Sequence, residues 1–163
     1  MLFEHPKVEL FTLSRKDPDH LLSAYASAPF TLDGCEWPSV EHYYQAMKFD
    51  DPEYREEIRQ AADPAAAVKL GKSRRHQRRK DWKKTSIVVM TRGTYIKCRS
   101  YPAIAQLLLD SGDITIAELS MYDYFWGSGR DMRGMNNFGK MLMAVRQKLR
   151  EEARQQAPLA AAE

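Results

Sequence analysis

Trp37-Pro38-Ser39-Val40-Glu41-His42-Tyr43-Tyr44-Gln45-Ala46-Met47-Lys48-Phe49, followed by Asp51-Pro52 and Asp63-Pro64, decides the fold class of this 163-residue chain. Ser39 stands between a proline and an apolar-periodic run, which predicts an N-cap and a helix to about Phe49. Helical spacing puts Glu41, Tyr44, Gln45 and Lys48 on one face. It turns His42 about 100° away, so a Glu41–His42 dyad is not expected. Asp51-Pro52 and Asp63-Pro64 each pair a capping acid with proline at the first helical position. They predict helices to about Ala62 and to Gly71.

Working outward, Phe11-Thr12-Leu13 and Phe30-Thr31-Leu32 read as short strands, the second closed by the turn signal Asp33-Gly34. Beyond the third helix, Asp81 is a possible cap for a helix from Trp82 to about Lys97. Ile87-Val88-Val89 weakens that helix and leaves a strand as the competing reading. Pro102 to Leu109 reads as a helix closed by Gly112, and Ile114, Ile116 and Leu119 permit one strand over about 114–119. Trp126 to Gly139 contains Gly127, Gly129, Gly134 and Gly139, a loop suited to close backbone approach to a ligand. Phe138, Met141, Leu142, Val145 and Leu149 then repeat at helical spacing. The alanine-rich tail, about 155–163, reads as frayed. The expected fold is mainly α: a compact multi-helical domain spanning 1–163, with a few short β-strands near the N-terminus and around 114–119.

The bulk numbers fit that reading. The length suits one domain with its own core. Hydrophobic residues at 44% and charged residues at 29% are those of an ordinary folded protein. No apolar run approaches the roughly 18 residues of a membrane span, and Met1 to Pro6 lacks a charged-then-apolar signal, so a cytoplasmic location is expected. Cys35 and Cys98 have no zinc or disulfide spacing and read as free buried thiols. The net charge of +3 does not mark a general nucleic-acid binder. However, Lys72, Arg74, Arg75, Arg78, Arg79, Lys80, Lys83 and Lys84 face only Asp81 within the same stretch. That run is a solvated surface, a small-anion site or a track for a nucleic-acid backbone.

Candidate chemistry follows from the same residues. Glu41, in the first turn of its helix, is placed either to meet the helix dipole or to transfer a proton in a cleft. Trp82 ends the basic run and Trp126 opens the glycine-rich loop. Each is core packing or a platform for a flat base beside an anchored phosphate. Asp123, within Tyr122-Asp123-Tyr124-Phe125-Trp126, is either a desolvated carboxyl that must be paired or the cap of a local turn. Asn136 and Asn137 cap the last helix or bond a sugar hydroxyl. Met132, Met135, Met141 and Met143 read as packing. There is no phosphate-binding loop of the lysine-serine/threonine form, no serine nucleophile elbow and no histidine pair at metal spacing. Metal-free hydrolysis without a nucleophilic serine remains.

The run from Trp37 to Phe49 resembles the WPTxEHYFQAQKF signature of the YbiA-like, or NADAR, domain family. Further motifs follow in order: Gly71 to Arg74 with Arg79 and Trp82, Met90 and Lys97, Asp123-Tyr124-Phe125-Trp126-Gly127, and Gly134-Met135-Asn136-Asn137-Phe138-Gly139 with Leu142, Met143 and Arg146. The resemblance covers about 10–150. It implies a compact, mostly helical N-glycosidase that cleaves the C–N bond between a phosphorylated ribose and a nitrogen base, with no cofactor and no metal. The substrates implied are ribosylaminopyrimidine phosphates among riboflavin biosynthesis intermediates, or ADP-ribose on guanine in DNA or RNA. A non-catalytic module binding NAD or ADP-ribose is the alternative. By position, the resemblance gives Glu41 and Asp123 catalytic roles and puts Trp82 and Trp126 at the base. Arg74, Arg79 and Lys97 fall at the phosphate, and Gly127 and Asn136 among the substrate contacts. The family's Ser-Asn-Phe stands here as Ser23-Ala24-Tyr25, which removes any contact made by that asparagine side chain.

Overall fold

The computed structural model describes residues 9–160. Ser39 caps as expected: its Oγ accepts from the amide of His42 and opens α1 (Val40–Ala46), every residue of which is buried. So short a helix is marginal alone and depends on packing. It is surrounded by α2 (Pro52–Arg59), α3 (Pro64–Gly71) and α4 (Trp82–Ser100). The Asp51 and Asp63 carboxylates accept from the amides of Glu53 and Ala66, which fixes the starts of α2 and α3. α1 stops short of Phe49 because the amides of Lys48 and Phe49 bond three residues back, to Gln45 and Ala46, and tighten the last turn. α2 likewise ends before Ala62, in a tight turn from the Ala61 amide to the Ile58 carbonyl.

Ile87-Val88-Val89 lies within a helix, not a strand. Val89, Met90, Gly93, Thr94, Lys97 and Cys98 are buried at helical spacing, and that packing outweighs β-branched propensity. Asp81 stands at the N-cap of α4 as expected, but its side chain makes no capping bond, since the Arg79 guanidinium occupies its carboxylate at 2.6 and 2.9 Å. Tyr101 turns extended, and α5 (Pro102–Asp110) starts at the proline.

Two small sheets complete the scaffold. β1 (Leu10–Leu13) pairs in parallel with β4 (Thr115–Glu118), Leu13 opposite Glu118. β2 (Phe30–Leu32) and β3 (Cys35–Trp37) form a hairpin around Asp33 and Gly34, whose φ values of 55° and 77° suit a two-residue hairpin turn. β3 was not expected, because three residues carry too little alternation to read. Cys35, at its start, is exposed, and only Cys98 is the buried thiol predicted for both. Met132 and Met135, expected as packing, are exposed as well, whereas Met141 is buried.

α6 (Asn137–Ala160) packs on α4, α5 and β4. It continues past Gln155, where fraying was expected, to Ala160. Residues 161–163 of that tail, like Met1 to Pro6, lie outside the described residues. Among the described residues no helix is long and apolar enough to cross a membrane.

Candidate active site

Glu41 is fully buried in the first turn of α1, and both its oxygens are engaged. Oε2 accepts from the Arg15 guanidinium at 2.6 Å, and Oε1 accepts from the Gln45 side-chain amide, one turn along, at 2.8 Å. The Arg15 guanidinium also lies 3.8 Å from Asp123 Oδ2. One cation, in the loop after β1, thus joins the two acids proposed from sequence. Burial opposes its charge, but Glu41 beside it, with Asp123 further off, holds the Arg15 pKa above its ordinary value.

The backbone of Arg15 is fixed on both sides. Its amide donates to the buried Glu118 carboxylate at 3.0 Å, and its carbonyl accepts from the amides of Ala24 and Tyr25. The Glu41 amide in turn donates to the Ala24 carbonyl at 3.0 Å, so the loop is laced to the start of α1. Sequence reasoning missed Arg15. It lies in an irregular segment without periodicity, 26 residues from Glu41, and nothing local advertises the pair. Two buried polar atoms here lack a protein partner, Arg15 Nε and Gln45 Oε1. Unpaired buried polar groups are rare in folded proteins and concentrate where a ligand or water completes them.

Asp123 combines the two roles weighed for it. Its Oδ1 accepts from the amides of Phe125 and Trp126 at 3.0 and 2.7 Å, capping a turn, while Oδ2 faces Arg15. Its side chain is 26% exposed, against none for Glu41, so Asp123 is the carboxylate a solvent-borne ligand meets first.

The tryptophans do not form an open sandwich. Tyr44, itself buried, fills the space between them, 5.0 Å from Trp82 and 5.5 Å edge-on from Trp126 by ring centroids. Trp82 is half-buried, but Trp126 is only 4% exposed and is further packed by Phe125 and Phe138. Burial pushes the Tyr44 hydroxyl up to about 12, chiefly by desolvation. Gly127 is required by close packing: a Cβ there would stand 2.3 Å from Glu118 Oε2. Asn136, with φ 50°, directly precedes α6 and its carbonyl accepts from the Lys140 amide, but its side chain is used elsewhere. Its side chain accepts from the Glu118 amide and donates to the Ile116 carbonyl, both at 2.9 Å.

The cations that the resemblance puts at the phosphate divide. Lys97 is fully buried, and its Nζ donates to the carbonyls of Leu21 and Ser23 at 2.8 and 2.9 Å, so it ties the 21–23 loop to α4 and is not brought to a phosphate site. Desolvation lowers its pKa to about 8. Arg74 is exposed, and Arg79 is half-buried and paired with Asp81. The Arg79 amide donates to the Lys48 carbonyl at 2.8 Å, and Arg78 bridges to Phe49, which sews the run to the end of α1. Lys48, buried with its Nζ 5.5 Å from the Tyr44 ring centroid, follows Glu41 and Gln45 as the spacing predicted. Burial first and Arg78 second lower its pKa to about 8, with Glu41 acting the other way. Lys72, Arg74 and Arg78 line one surface cleft, and Arg75, Arg78, Arg79 and Lys80 line another together with Asp50, Asp51 and Asp81.

Comparison with known proteins shows the family and the fold. The NADAR domain profile matches residues 10–150. N-glycosidase YbiA of Escherichia coli (strain K12) is 36% identical over 127 residues, covering 78% of this chain and 79% of that protein. A riboflavin biosynthesis protein of Vibrio vulnificus is 38% identical over 138 residues, 84% of this chain but 38% of that longer protein. The solution structure of E. coli YbiA superposes with a TM-score of 0.81 at 33% identity, covering 90% of this chain and 88% of that one.

Proposed function

The chain belongs to the NADAR domain family, and from that premise we propose that it is an N-glycosidase that hydrolyses the bond between a phosphorylated ribose and a nitrogen base. The ribosylaminopyrimidine phosphates of riboflavin biosynthesis are the substrates that best fit its relatives' names. The observation that carries the reading is the pair of carboxylates, Glu41 and Asp123, gathered on one buried guanidinium.

Hydrolysis breaks the C1–N bond, whose electron pair leaves with the base nitrogen. Water oxygen bonds to C1, and the water's second proton goes to the base. The ribose carries positive charge in the transition state, so a site must hold negative charge near C1 and place a water. Glu41, with both oxygens accepting and its position locked by Arg15 and Gln45, supplies fixed negative charge in a site shielded from solvent, where it acts with least screening. Asp123, the more open acid, orients the ribose hydroxyls or the attacking water. Lys48, Arg74 and Arg78 take the phosphate, and binding energy gained there is spent on orientation at C1. Arg79 can join them only by giving up Asp81.

The test is incubation of the pure protein with a ribosylaminopyrimidine phosphate, following release of ribose 5-phosphate. No release at any concentration would refute the reading. Exposure of Lys72, Arg74, Arg75, Arg78, Lys80, Lys83 and Lys84 along one segment favours a second substrate class, ADP-ribosylated guanine in DNA or RNA. Affinity for such a strand would fall steeply with salt, whereas a small phosphorylated substrate gives a shallow slope.

A further inference from the structure

Seven of the eleven large hydrophobic side chains exposed among the described residues lie between Leu119 and Met135, the loop that carries Asp123. Tyr122 is 84% exposed, and Met121, Tyr124 and Phe125 are 54%, 45% and 37% exposed. Large apolar side chains concentrated on one exposed loop mark an interaction site. It is also shaped: Met121, Tyr122, Tyr124 and Phe125 line a cleft together with Asp123, Lys16 and Ser120. The loop behind it is firmly built. The Ser120 amide and hydroxyl are held by the Glu118 carboxylate, and the Met135 amide donates to the Tyr124 carbonyl.

We propose that this cleft is the subsite for the leaving base, and that it takes a flat heterocycle carrying amino or carbonyl groups. The proposal rests on the N-glycosidase reading and deepens it. Two observations carry it. The cleft is continuous with the site through Asp123, which faces Arg15 and also lines the cleft. Trp126, which the resemblance put at the base, is buried against Tyr44, Phe125 and Phe138, so the exposed aromatic side chains next to Asp123 are Tyr122, Tyr124 and Phe125. Lys16 and Ser120 supply polar contacts at the rim, and stacking supplies affinity without strict sequence or base identity.

Tyr122→Ala, Tyr122→Phe and Phe125→Ala separate the outcomes. With a ribosylaminopyrimidine phosphate as substrate, each alanine variant should raise KM by roughly 5- to 100-fold, the equivalent of losing one base–aromatic stack. Tyr122→Phe, which keeps the π-face, should stay within about twofold of wild type. Inhibition by ribose 5-phosphate, which lacks a base, should not change in any of them. An unchanged KM in both alanine variants overturns the base subsite, as does a parallel loss of ribose 5-phosphate inhibition. Absence of turnover in the wild-type protein overturns the N-glycosidase reading and the subsite with it. Tyr122 is so exposed that its alanine variant should fold, which keeps the test open if Phe125→Ala does not.

Discussion

At the scale of single residues, the site is governed by an arginine that its own sequence neighbourhood does not announce. Arg15 is the counter-charge of a fully buried glutamate, and breaking such a pair from one side leaves an uncompensated charge, at a cost of about 3–5 kcal/mol. Arg15→Met should therefore lower stability by that amount in urea denaturation. Arg15→Lys, which keeps the charge but loses the planar fork serving both acids, should retain most of the stability and lose turnover by about tenfold or more. Wild-type stability in Arg15→Met would mean that the ion pair is not formed in solution. Glu41, Asp123 and the basic run were legible because each stands in a distinctive local setting. Arg15 was not, because its meaning depends on a contact between distant segments. The choice between packing and platform for the tryptophans was not legible for a related reason: Tyr44 carries no sign in sequence that it will lie against both of them.

At the scale of elements, capping and proline signals placed α1, α2 and α3, and apolar periodicity placed α6. Burial decided between helix and strand for α4, a choice that propensity left open. What sequence could not place was the segment from Leu119 to Asn136, where order comes from side-chain bonds to a strand and not from a repeating pattern. Asn136 shows how. Its amide completes the edge of β4 by bonding the Glu118 amide and the Ile116 carbonyl, in a left-handed conformation that alanine adopts only with strain. Asn136→Ala should cost about 2–3 kcal/mol, from two hydrogen bonds and that strain, and leave KM nearly unchanged. Raised KM with intact stability would restore Asn136 as a sugar contact. Gly71 plays a similar supporting part, since a Cβ there would stand 1.9 Å from Oε1 of Gln45, the side chain that steadies Glu41.

At the scale of the whole molecule, buried cations link stability to pH. Lys97 and Lys48 titrate near 8 in the folded chain, below the ordinary lysine value near 10.4, because burial disfavours the charged form. The unfolded chain therefore binds more protons from about pH 8 upward, and stability should rise with pH there, by at most about 1 kcal/mol per unit for each group. Above about pH 9 the Cys98 thiol, pushed up to about 11, and Tyr44, at about 12, work in the opposite direction. Urea midpoints should thus increase from pH 7.5 to 9 in the wild type and increase less in Lys97→Met. A flat or falling wild-type profile would show that these lysines are not buried as described. The same architecture that buries Lys97 away from any phosphate brings Glu41 and Asp123 onto one guanidinium, and the functional account depends on that convergence. Its most direct test is release of ribose 5-phosphate from a ribosylaminopyrimidine phosphate by the wild-type protein and by Glu41→Gln, with folding checked by circular dichroism. The account predicts turnover by the wild type and a loss of about a hundredfold or more in a folded Glu41→Gln variant, the scale of losing one electrostatic stabiliser of the transition state. Turnover by Glu41→Gln at the wild-type rate would contradict it.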